Sequence, residues 1–184
     1  MKKIGAYIVV ILSLFTIACE GPQGPPGFDG FDGEDGIDGS IFEAEAFEIN
    51  VDMTLNSDAN TYEYLASNYS NGITVLESDV VLIYRLEEVD NGVDIWRQLP
   101  QPIITENGTS FYNFDFTAGD YSIYLEPEFD ATLSSIDLTE NQWFRIVIVP
   151  AKILNSSNLD KTNLSSLLQN IGINENEIEK FELK

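Results

Sequence analysis

From about Ser40 onward, apolar and polar residues alternate with a period of two, the spacing that gives a strand one buried and one wet face. Phe47, Ile49, Val51 and Met53 alternate with Glu48, Asn50 and Asp52, which predicts a strand whose polar residues lie in water. Asp79 to Val89 differs. Val80, Leu82, Tyr84 and Leu86 occupy one side and Val81 and Ile83 the other, so this strand is expected at the centre of a sheet. Asp90-Asn91-Gly92 closes it, because Asn and Gly tolerate the positive φ of a tight hairpin, and Val93 to Leu99 returns. Glu106-Asn107-Gly108 is a second turn of this kind, ahead of Tyr112, Phe114 and Phe116 on one side of a strand. Ala118-Gly119-Asp120 then leads into Tyr121, Ile123 and Leu125. Trp143 to Val149 is the most apolar run of the region and stops at Pro150, which has no N–H for a ladder, so it reads as another central strand.

Near the C-terminus the period lengthens. Leu164, Leu167, Leu168 and Ile171 recur at helical spacing, with Asn158 or Asp160 as the expected cap and Gly172 as the stop. A last strand is expected over Ile178 to Leu183. Six or seven strands with turns at this spacing predict an all-β fold over 40–184. The expected form is an antiparallel β-sandwich, immunoglobulin-like in outline, with one short C-terminal helix.

The segment before Ser40 has a different character. Lys2 and Lys3 precede Ile4 to Ala18, a nearly unbroken apolar stretch of 15 residues, shorter than the roughly 20 needed to cross a bilayer. It reads as an export signal over 1–18. It ends in Thr16-Ile17-Ala18-Cys19, which resembles the bacterial lipobox, with Thr16 where leucine is usual. That resemblance implies lipidation of Cys19. As the chain's one cysteine, Cys19 has no partner for an internal disulfide, and in an oxidising compartment an unpaired thiol is a liability that acylation removes. Two or more acyl chains, at about 0.8 kcal/mol per buried methylene, anchor a protein without a spanning helix.

Residues 19–39 continue as an extended tether. Gly21, Gly24, Gly27, Gly30, Gly33, Gly36 and Gly39 recur at every third position, the rule of a collagen triple helix, whose axis admits only glycine. Proline is confined to the first two triplets, and Asp29, Asp32, Glu34, Asp35 and Asp38 have no compensating base. Three such strands would hold their carboxylates well inside a Debye length of about 8 Å, which favours a monomer over a trimer built through this segment. Extended at ~3.1 Å per residue, the tether spans roughly 60 Å.

Charge narrows the remaining readings. With 31 Asp plus Glu against 9 Lys plus Arg, a net charge of -22, the chain repels phosphate backbones, so nucleic acid is not an expected partner. The absence of histidine removes Ser-His-Asp and Cys-His chemistry and ordinary zinc sites. No Gly-x-Gly-x-x-Gly opens a βαβ unit. No enzymatic activity, cofactor or metal site is expected, although spaced aspartates offer the hard oxygen ligands that divalent cations prefer. Tyr62, Tyr64 and Tyr69, among Asp, Asn and Ser in the Asn56 to Gly72 loop, are candidate contacts for a glycan or protein, or cover for a sandwich edge. Trp96 and Trp143 are expected at core or half-buried positions. Asn113 and Asp115 are expected on a wet outer face, and Arg85 and Arg145 either paired with acids or facing solvent.

The segments Tyr112-Asn-Phe-Asp-Phe-Thr117 and Asn141-Gln-Trp-Phe-Arg-Ile-Val-Ile-Val-Pro-Ala151 resemble those of collagen-like lipoproteins of Bacteroidota, which share the lipobox and the short Gly-X-Y stretch. That resemblance implies no particular activity. It implies a lipid-anchored envelope protein, with the outer membrane preferred because Glu20 is not the aspartate associated with inner-membrane retention. The expected role is structural or adhesive, and the alternative is a glycan- or cation-binding surface module.

Overall fold

The computed structural model describes residues 43–69, 72–156 and 160–183, all within the second of two compact units, Met1–Gly36 and Ile37–Lys184. Cys19 and the seven tether glycines lie outside the described residues.

Among the described residues ten strands form two sheets: β1 Glu45–Val51, β2 Thr54–Asn56, β3 Thr61–Ala66, β4 Val80–Asp90, β5 Val93–Gln98, β6 Gln101–Thr105, β7 Gly108–Phe116, β8 Tyr121–Pro127, β9 Gln142–Val149 and β10 Glu179–Leu183. The first sheet runs β10-β1-β9-β4-β5 and the second β2-β3-β8-β7-β6. Every pairing is antiparallel except β1 with β10, which is parallel. Two helices, α1 Ala151–Ser156 and α2 Leu164–Ile171, lie between β9 and β10. The protein is an all-β sandwich with a short C-terminal helix, as its alternation predicts.

The space between the sheets is filled by the inward residues of each strand. Phe47, Ile49 and Val51 from β1, Val81 and Ile83 from β4, and Phe144, Ile146 and Ile148 from β9 meet Tyr112, Tyr121, Ile123 and Leu125 of the second sheet. A second core sits on the opposite face of the first sheet, where Leu82, Tyr84, Val147 and Val149 are covered by Leu164, Leu167 and Leu168 of α2 and by Ile178. This is why β4 and β9 are apolar on both sides.

Local chemistry fixes the turns. Asn91 at φ 50° and Gly92 at φ 83° make the tight hairpin between β4 and β5. Gly172, at φ 80°, ends α2 in the left-handed region and donates its N–H to Leu168 and Gln169 carbonyls. The cap of α2 is Asn163, whose side chain accepts from the Ser166 N–H, and not Asn158 or Asp160. Asp160 instead holds the preceding turn by accepting from Thr162 N and Oγ1. Short strands β2 and β6, and helix α1, were not legible from periodicity because each is only three to six residues long.

All four sheet edges are blunted against addition of another strand. β2 has three residues. β10 carries the exposed charges Glu179, Lys180 and Glu182. β5 carries the exposed charges Asp94 and Arg97, and its ladder to β4 is interrupted by a bulge in β4 between Leu86 and Glu88. In β6, the Thr105–Gly108 pair closes the hairpin, so alternate residues Pro102 and Ile104 direct their backbone outward, and Pro102 has no N–H to offer there.

Candidate functional site

The alternation of β1 predicts Glu48 and Asn50 in water, and the structure buries both at 1% exposure. β1 lies between β9 and β10, and its outer face is covered at this end by long side chains. Glu48 Oε1 accepts from Arg145 Nε at 2.9 Å and Nη2 at 2.6 Å, while Glu48 Oε2 is 2.7 Å from Lys180 Nζ. The Arg145 guanidinium lies 4.4 Å from the Trp96 ring centroid, and its Nη1 is 3.7 Å from Glu175. One indole face thus roofs a charge that would be costly to bury unpaired. Asn50 Nδ2 donates to Asn141 Oδ1 at 3.0 Å. Trp96 and Trp143 are half-buried, as expected, and Arg145 is paired. Arg85 departs from expectation. It is buried in the sandwich, donates Nε–H to Gln142 Oε1 at 3.0 Å, and lies 4.6 Å from the Tyr112 ring centroid, with no carboxylate partner among the ion pairs of the described residues.

The tyrosines of this segment are built into the second sheet and its edge. β2 and β3 form a hairpin, with Tyr62 and Tyr64 on β3 packed half-buried against the main core. Tyr69 is 5% exposed, and its hydroxyl donates to the Thr117 carbonyl at 2.7 Å and lies 3.1 Å from that of Asp120. Burial, and then the Asp120 charge, push its phenol up to about 12. These side chains cover a sandwich edge, one of the two readings that the sequence leaves open for them.

A cavity of about 380 Å³ opens where the chain enters the domain, and sequence reasoning missed it. Its walls bring together Glu43, Glu45, Asp79, Glu177 and Glu179, with Phe47 and Ile148 among its apolar lining. These acids come from the start of β1 and the residues before it, the approach to β4, and the start of β10 and the turn before it, so their meeting follows from the β10-β1-β9-β4 order and has no sequence signature. Asp79 is already engaged, accepting the Leu76 N–H at 3.0 Å. Glu45 titrates above the ordinary carboxylate range because burial disfavours its charge and Glu43 and Glu179 add like-charge repulsion. No three acids among the described residues converge tightly enough to hold a metal ion. The cavity therefore suits a spread positive charge, such as an amine or guanidinium, better than a coordinated divalent ion.

A wider hollow of about 670 Å³ follows Ile95 to Pro102 and includes Thr162, but its one charged side chain, Arg97, is already paired with Glu87. No helix among the described residues is long and apolar enough to cross a membrane. No family model, no curated protein and no solved structure matches the chain.

Proposed function

We propose that the chain is a lipid-anchored protein of a bacterial envelope, held through Cys19 and displaying its sandwich on the acidic Gly-X-Y tether in a structural or adhesive role. The observation that carries this reading is the position of the lone cysteine, at the end of an apolar leader and directly before period-three glycine. The blunted edges of both sheets support it, because such a domain is displayed singly rather than polymerised strand to strand. On this reading the anchor is non-enzymatic and the outer membrane is its place.

Mass spectrometry of the N-terminus from isolated membranes tests the proposal. A diacylated or triacylated Cys19 is the expected first residue, and Cys19→Ser releases the protein from the membrane fraction. An unacylated, uncleaved chain in the soluble fraction overturns it.

The acidic cavity favours a second reading, a surface module for cationic ligands. Titration of the full chain with spermidine, followed by calorimetry, separates that reading from a purely structural role. Saturable binding weakened by Glu45→Gln and Glu179→Gln supports it.

A further inference from the structure

Along its strands, the sandwich carries basic residues in the first sheet only. No Lys or Arg occurs in β2, β3, β6, β7 or β8, nor anywhere between Trp143 and Arg97, whereas Arg85, Arg97, Arg145 and Lys180 all stand on strands of the first sheet. The outer face of the second sheet is also uncovered. Among the described residues nothing corresponds there to the α2 layer over the first sheet, and Leu65 is 60% and Ile104 88% exposed.

The strand registers fix what this face presents. One row crosses Thr54, Glu63, Tyr124 and Asn113; the next crosses Asn56, Thr61, Glu126, Phe111 and Pro102; Leu65, Ser122 and Asp115 form a third. Phe111, Pro102 and Ile104 are neighbours at one corner, and Leu65 lies toward the other. Between them stand three carboxylates, each held by a neutral donor. Glu63 accepts from Asn56 Nδ2 at 3.1 Å, Glu126 from Asn113 Nδ2 at 3.2 Å, and Asp115 from the Tyr124 hydroxyl at 3.3 Å. Their charges are oriented and left uncompensated.

We infer that this open face docks a basic amphipathic polypeptide surface, one that presents Lys or Arg beside aliphatic side chains. Complementary charge and exposed apolar groups on one flat platform favour that partner. A shared divalent ion does not fit. Same-face neighbours on adjacent strands are about 5 Å apart and along a strand about 7 Å, which sets the three carboxylates roughly 8 to 14 Å from one another. A metal binds its oxygens at about 2.3–2.6 Å. The inference deepens the adhesive reading by naming the adhesive face and its partner, and it holds or fails independently of the lipid on Cys19.

The test uses the detergent-purified full chain and an immobilised amphipathic helical peptide of Lys and Leu at physiological salt. Wild type binds saturably, a Glu-and-Leu peptide of the same pattern does not bind, and oligolysine binds more weakly because it lacks the apolar contacts. Glu63→Gln, Asp115→Asn and Glu126→Gln together weaken binding about tenfold. A matched variant neutralising Glu88, Asp94 and Glu182 on the first sheet leaves it nearly unchanged. In wild type alone, the peptide protects Glu63, Asp115 and Glu126 from carbodiimide labelling. Equal loss in the two triple variants, or protection spread evenly over all exposed acids, reduces the effect to net charge and overturns the inference. So does the absence of wild-type binding.

Discussion

The two outer faces of this sandwich solve opposite problems with the same alternation. On the first sheet the outward residues of β1, β4 and β9 are covered by α2 and the segment leading to β10, so Tyr84 and Val147 are buried there, and even Glu48 and Arg145 are dry. On the second sheet the outward residues of β3, β7 and β8 face water, and acids stand among exposed Leu65, Phe111 and Ile104 without a single base. An acid on the covered face must be neutralised at close range, whereas an acid on the open face need only be solvated. Position in the layers, not residue type, decides which acids bear on stability and which remain available to a partner.

Breaking the covered face gives the largest effects. Arg145→Met strips Glu48 of its two-pronged partner and leaves a buried carboxylate facing Lys180 alone, so urea unfolding is expected to report a loss of about 3–5 kcal/mol. Replacing Glu48 and Arg145 together by apolar residues recovers much of it; a single variant that costs less than about 1 kcal/mol would show the site to be wet. Next comes Leu167→Ala, which opens a void between α2 and the sheet and is expected to cost about 2–5 kcal/mol. Its counterpart on the open face, Ile104→Ala, is expected to stay within about 0.5 kcal/mol by the same measurement. Tyr84→Phe removes the hydroxyl that donates to the Lys161 carbonyl at 2.5 Å, with an expected loss of about 1 kcal/mol.

The smallest effect concerns the acidic cavity and carries a sign. Because the folded state raises the pKa of Glu45, ionising it costs stability above the folded pKa, and that cost is relieved as pH falls through it. Glu45→Gln is therefore expected to raise Tm slightly at pH 7 and to leave it unchanged near about pH 3, where the wild-type carboxyl is already neutral. A lower Tm at neutral pH would mean that Glu45 is held by a positive partner.

The strands with two apolar faces, β4 and β9, and the hairpin at Asn91-Gly92 were legible because their residues state burial or positive φ directly. β7, β8 and α2 were legible for the same reason: each repeats one period long enough to reveal it. β1 misled. Glu48 and Asn50 look like solvent residues until β9 and β10 supply Arg145, Asn141 and Lys180 from distant parts of the chain. The segment around Tyr62 and Tyr64 was legible only as two alternatives, since its polar composition masks a β-hairpin whose rings turn inward. The acidic cavity was illegible because its walls come together only through the β10-β1-β9-β4 strand order, with its parallel β1–β10 pairing, which no local pattern announces.

That pairing also determines how the domain bears tension. β1 is flanked along seven positions by β9 and five by β10. A pull applied at Glu45 along the β1 axis loads both ladders in shear, so their bonds must yield together rather than unzip one by one.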